Sequence, residues 1–166
     1  MNKWLKYGLV YVGITYVYDV IVIPNSAAKQ ARAYADSLGK PLLNVGAGTP
    51  HSSLRVSLLG PTLWGDANID IAADKSIPHG PDVVSYADAH VLPWSDKHFG
   101  AVIASHVLEH MDDPLAALKE WDRVADAVYA TVPKWWAPHT WTHMGHRWFI
   151  DGNTGRAYPL WKSDKS

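Results

Sequence analysis

Apolar residues run almost unbroken from residue 4 to residue 23, "WLKYGLVYVGITYVYDVIVI", with Lys6 and Asp19 the only charges. That is about the length a helix needs to cross a bilayer, and Trp4, Tyr7, Tyr16 and Tyr18 lie towards its ends as interfacial aromatics do. Three readings are open. The segment is a membrane anchor, spanning or lying in the interface; or a hydrophobic helix buried against a partner or the domain itself; or a signal peptide cleaved near Ser26-Ala27-Ala28. Pro24-Asn25 ends the run, so the pattern divides the chain into a hydrophobic helix at 1–24 and a domain at 25–166.

Beyond the proline, Ser26 is a candidate cap for a helix with Ala27, Ala31, Tyr34, Ala35 and Leu38 on one face and Gly39 as its stop. "PLLNVGAG" is an apolar burst ending in glycines, a buried strand entering a tight turn. Residues 51–60 suit a short helix. "ANIDI" and "DVVSYA" read as a second and a third strand. "FGAVIAS" reads as a fourth, apolar on both faces and therefore central in a covered sheet. Asp113-Pro114 is a cap followed by a first-turn proline, and Leu118, Trp121, Val124 and Ala125 share the next helical stripe. "AVYATVP" is a fifth strand, and "RWFI" with "RAYPL" a closing pair. Strands alternating with helices predict a compact α/β fold, a doubly wound and mostly parallel sheet.

Composition narrows the function. With 15 basic and 16 acidic residues and no basic run, no nucleic-acid partner is expected. The absence of cysteine excludes a thiolate nucleophile and sulfur-ligated zinc. Nine tryptophans fit an aromatic pocket, a partner surface or a membrane interface.

In open α/β sheets ligands bind beyond the carboxyl ends of the strands. The first strand ends in Gly46-Ala47-Gly48, where missing side chains let backbone N–H groups approach a ligand. The second ends in Asp70, a spacing from the glycines that suits a carboxylate on a ribose diol. Asp88 ends the third strand, and Ser105-His106 the fourth. Each aspartate alone also reads as a cap or turn residue.

Together, "LLNVGAG", "NIDIAAD", "YADAHVLPWSDKHFGAVIASHVLEHMDDP" and "VYATVP" resemble successive motifs of the Rossmann-like S-adenosylmethionine-dependent methyltransferases of the small type 11 kind. The resemblance implies that Gly46, Ala47 and Gly48 hold the methionine part of S-adenosyl-L-methionine. It implies further that Asp70 binds the ribose hydroxyls with Ile71 against the adenine. Asp88 and Ala89 would then meet the adenine amino group and ring, and Ser105 and His106 line the cleft. The family carries an acidic residue where this chain has Asn44, which can still accept a hydrogen bond and joins the cofactor set. It has a third glycine where this chain has Pro50.

Residues 106–110 also spell H-x-x-E-H, a zinc-peptidase pattern. That pattern needs a long helix, whereas here it lies between a strand and the Asp113-Pro114 helix start. Glu120, the only other glutamate, would lie about 15 Å along a continuous helix. No metal is expected. In the tail, His139, His143 and His146 could together bind zinc, but Pro138 and Gly145 leave no long helix to aim them, and they are read first as local packing, then as a substrate contact or a base. Trp94, Trp135, Trp136 and Trp141 are candidates for the cleft wall.

These readings predict a membrane-associated methyltransferase acting on a small molecule or lipid. Its domain faces the cytoplasm, where the cofactor is made, or is simply cytoplasmic. The alternative is an inactive methyltransferase fold serving as an assembly subunit, docked on a membrane or protein partner through residues 4–23.

Overall fold

A computed structural model describes residues 15–49, 60–142, 145–154 and 156–160, without the side chain of His139. Residues 4–14 of the apolar run and residues 51–59 of the short helix expected at 51–60 lie outside them. The first described stretch is one continuous helical run. Residues 15–17 are α-helical, Tyr18–Val22 form a π-turn closed by Ile23 N–H on the Tyr18 carbonyl, and α1 (Ile23–Ser37) follows directly.

Pro24-Asn25 therefore does not stop the helix, and Ser26 does not cap it. Pro24 sits in the first turn of α1, directly after the π-turn, so the helical run carries a residue without an N–H in its interior. The buried positions run Thr15, Asp19, Pro24, Ala28, Ala31 and Ala35. Their one step of five residues falls on the π-turn, which keeps a single stripe on a single face. Gly39, at φ 62°, ends the helix as expected. Its N–H bonds to the Asp36 carbonyl and that of Lys40 to Ala35, a Schellman closure. Among the described residues no helix is long and apolar enough to cross a membrane. Asp19 is buried in the domain, where its carboxylate accepts the Lys134 N–H at 3.1 Å.

Five strands follow: β1 (Leu42–Val45), β2 (Ala67–Asp70), β3 (Val84–Tyr86), β4 (Phe99–Ser105) and β5 (Ala125–Thr131). They form one sheet in the order β3-β2-β1-β4-β5, with every pair parallel. This is the expected doubly wound pattern. Between β4 and β5 lies α2 (Pro114–Val124), capped by the Asp113 carboxylate, which accepts the N–H groups of Leu115 and Ala116. Ala125, expected on its last turn, instead begins β5. Residues 71–83, between β2 and β3, contain no helix.

Strand alternation sorts the core. Leu43, Val45, Ala67, Ile69, Val102 and Ala104 pack towards Trp121 and Val124 of α2. On the opposite face Leu42, Ala101 and Ile103 meet Ala28, Ala31 and Ala35 of α1. Small residues let α1 lie very close: a Cβ on Gly100 would be 2.7 Å from Ala35 Cα. The tail adds α3 (Pro138–Thr142) and the antiparallel pair β6 (Trp148–Ile150) and β7 (Ala157–Pro159), the expected closing strands.

Candidate functional site

β1 is flanked by β2 and β4, so the connections leave it and β4 in opposite directions. A ligand crevice opens at such a switch point. Here it holds a cavity of ≈ 630 Å³, within the range of small-molecule sites, about 300–1,000 Å³.

The floor is the turn after β1. Gly46 (φ 70°) and Gly48 (φ 84°) both adopt the left-handed backbone that glycine alone takes without strain. The N–H groups of Gly46 and Ala47 bond to the Ile69 carbonyl at 2.9 and 3.0 Å, folding the turn against the end of β2. A Cβ on Gly46 would collide with the Val107 side chain. Gly48 N–H bonds to Asp70 Oδ2 at 3.0 Å, and Asp70 Oδ1 takes the Ala72 N–H at 2.9 Å. The carboxylate ending β2 is thus fixed by the glycine turn it faces, with Ile71 beside it 60% exposed.

Asp88 stands on the next loop. Its Oδ1 accepts the backbone N–H of His90 at 2.9 Å and faces the His90 ring at 3.0 Å. These two bonds hold its carboxyl below the usual range, and they leave Oδ2 to a ligand. The loop is pinned from α2: Trp121 donates to the Ala89 carbonyl at 3.0 Å, and Leu92 N–H to Glu120 Oε1 at 2.7 Å.

Past β4, His106 adopts φ 55°. Its Nδ1 is 3.2 Å from Glu109 Oε1 and its Nε2 3.0 Å from the Asp19 carbonyl. Burial opposes charge on this imidazole, but the Glu109 carboxylate and the Asp19 carbonyl outweigh it and raise its pKa. With an acceptor at each nitrogen, the doubly protonated ring is the one fully matched. The H-x-x-E-H segment forms a single 3₁₀ turn, Leu108–His110, as its position between strand and helix required.

Gly46, Ala47, Gly48, Asp70, Ile71, Asp88, Ala89, Ser105 and His106 all line this one cleft. Asn44 stands apart from it. Strand parity turns Asn44 to the α1 side, where its amide donates to the Thr62 carbonyl and, at 3.0 Å, to Asn68 Oδ1. Asn68, paired with it across the sheet, bonds in turn to Gly65 and Pro81. The two buried amides tie loops to the sheet. Of the tail histidines, His146 reaches the cleft wall; His143 and the His139 side chain lie outside the described residues.

The tryptophans expected at the wall are elsewhere. Trp94 packs on Phe99 and His79, Trp141 stacks on Phe149, and Trp135 is 67% exposed. Trp136 does not line the cleft either, and Trp64 is the one tryptophan among its described lining residues. Sequence reasoning also passed over Tyr16 and Val20, hidden in a segment read as an anchor, and Arg147, hidden in a strand. All three line the cleft. Asp19, alone among apolar neighbours, was the available signal for that docking.

A family model described as a methyltransferase domain matches residues 43–127, half of the chain. No curated protein matches. Among solved structures, the chain is similar to the crystal structure of the (4+2)-cyclase SpnF at 22% identity, over 68% of this chain and 55% of that one, with a TM-score of 0.33. The chain thus spans about half the length of that structure.

Proposed function

Because the chain belongs to the methyltransferase-domain family of class I S-adenosylmethionine-dependent enzymes, we propose that it is a methyltransferase whose cofactor lies in the cleft between the glycine turn and Asp88. The observation that carries this reading is the convergence of Gly46–Gly48, Asp70 and Asp88 on one cavity at the switch point of the sheet. S-adenosyl-L-methionine, when bound, supplies a methyl group on a sulfonium already activated for displacement.

The chain's own residues bind and orient. The bare backbone of Gly46 and Gly48 admits the amino-acid end of the ligand. Asp70, held rigid by the Gly48 and Ala72 N–H groups, accepts from the ribose hydroxyls with the lone pairs that remain. Ile71 and Ala89 cover the adenine faces, and Asp88 Oδ2 accepts from its amino group. Ser105 and His106 close the floor. The acceptor meets Tyr16, Val20 and Met111, which line the same cleft together with His110, Asp112, His146 and Arg147. The apolar side chains among these favour a small molecule or lipid. The apolar run, which exposes Val17, Tyr18 and Val22, supports membrane association of the segment as part of the same proposal. The filled alternative, a cleft packed shut by side chains as an assembly subunit would tolerate, is opposed by the open cavity.

The test is calorimetric titration of S-adenosyl-L-methionine into the purified chain, with Asp70→Ala as control. Micromolar binding lost in the variant is expected. No heat and no thermal shift at millimolar cofactor overturns the reading.

A further inference from the structure

We propose that Glu109, His110 and His146 form a binding site for one divalent transition-metal ion of zinc-like preference at the wall of the cleft. One donor atom from each lies within 4.8 Å of the others. His146 Nε2 is 4.0 Å from Glu109 Oε1, and the two imidazoles meet edge to face with centroids 4.8 Å apart. The residues come from separate parts of the chain, joined where Arg147 N–H donates to the Glu109 carbonyl at 2.7 Å.

Each ring is oriented from behind. His110 Nδ1 donates to the Gly145 carbonyl at 2.8 Å, and His146 Nδ1 to the Thr140 carbonyl at 3.0 Å. An imidazole that donates from Nδ1 carries its lone pair on Nε2, and such backing bonds are the usual support of metal-bound histidine. Glu109 supplies the charge. It is 1% exposed, its Oε1 faces His106, and its Oε2 has no hydrogen-bond partner among the described residues. A buried carboxylate oxygen left unmatched is costly, and a cation matches it.

Two imidazoles and a carboxylate suit zinc, and three protein ligands leave a position for water or another ligand. Metal–ligand bonds of about 2.0–2.2 Å place donors about 3.3 Å apart, so the side chains draw in by about 1 Å on binding. His106 takes no part, since both its nitrogens face acceptors. The site is thus not the helical H-x-x-E-H arrangement, and its second imidazole comes from the tail. The expectation of no metal weighed Glu120 as the partner of Glu109, and His146 only with the other tail histidines, never His146 with Glu109. Ligation and general-base use of the same His146 Nε2 exclude each other. Binding of the ion does not depend on whether the cleft transfers methyl groups.

The test titrates the metal-free purified chain with Zn²⁺ by calorimetry and with Co²⁺ by visible absorption. One equivalent of each is expected, with the intense d–d bands of a low-coordinate cobalt site. His110→Ala, His146→Ala and Glu109→Gln should each weaken binding by about tenfold or more, whereas His98→Ala, on the far side of the sheet's other end, leaves it intact. Circular dichroism confirms folding of each variant, and half-buried His110 decides the matter if a buried position disrupts the fold. No binding by the unaltered chain overturns the proposal. So does equal weakening by His98→Ala, or unchanged binding in the His110→Ala chain.

Discussion

Asp70 and Gly48 are joined by a 3.0 Å hydrogen bond from the glycine N–H to the carboxylate, so the turn after β1 and the end of β2 are one rigid element. Asp70→Ala should therefore abolish cofactor binding by two routes, a lost ribose acceptor and a loosened turn. Asp70→Asn keeps an oxygen for the turn and should retain weak binding. Titration of both variants separates the routes, and equal affinity for all three chains refutes the assignment.

Gly46 has no room for a methyl group because of Val107. Gly46→Ala should destabilise the chain by about 1–3 kcal/mol through crowding, with about 1–2 kcal/mol more from its left-handed backbone. Adding Val107→Ala should return the crowding part and leave the backbone part. Denaturant unfolding of the single and double variants measures the difference, and a double variant no better than Gly46→Ala contradicts the contact.

Asn44 serves the sheet rather than the cleft. Asn44→Ala, which strips donors from the Thr62 carbonyl and Asn68, should cost about 1–3 kcal/mol of stability with little change in cofactor affinity. A variant that stays stable but no longer binds would return Asn44 to the cofactor set.

Gly100 lets α1 approach β4. Gly100→Ala forces a Cβ to within 2.7 Å of Ala35 Cα, a backbone atom that cannot swing aside. A loss of about 1–3 kcal/mol is expected in urea unfolding. An unchanged midpoint would show that α1 can lift off the sheet freely.

Asp66 gives the stability a pH dependence. Burial alone would raise its pKa, but the Leu42 N–H and the Arg32 guanidinium lower it by more. A carboxyl depressed in the folded state stabilises above its unfolded pKa, and the contribution disappears as pH falls through the folded one. Melting curves from about pH 5 to about pH 2 should fall less steeply for Asp66→Asn than for the unaltered chain. Parallel curves would remove Asp66 from the acid transition.

How much of this the sequence carried depended on whether a feature was local. β4 was legible because six of its seven residues, Phe99 to Ala104, are buried, so both of its faces read as apolar. The cleft was legible because a parallel sheet delivers its strand ends, and hence Gly46, Asp70 and Asp88, to one edge. The stripe of α1 was obscured by its five-residue step, which a 3.6-residue period reads as a break at Pro24. Asn44 was misplaced because adjacency to a glycine turn says nothing of which face the preceding side chain takes. The meeting of His146 with Glu109 depends on the path of the tail, and no spacing encodes it.

Pro24 carries a further consequence. In the register of the π-turn, where each N–H bonds five residues back, the donor owed to the Asp19 carbonyl would come from residue 24, and proline has none. That carbonyl is the one His106 Nε2 meets at 3.0 Å. The gap left by an imino acid in the helix is filled by a ring from the end of β4. Any residue with an N–H at position 24 would thus compete with His106 for its partner, and a helix edit would register in the cleft floor.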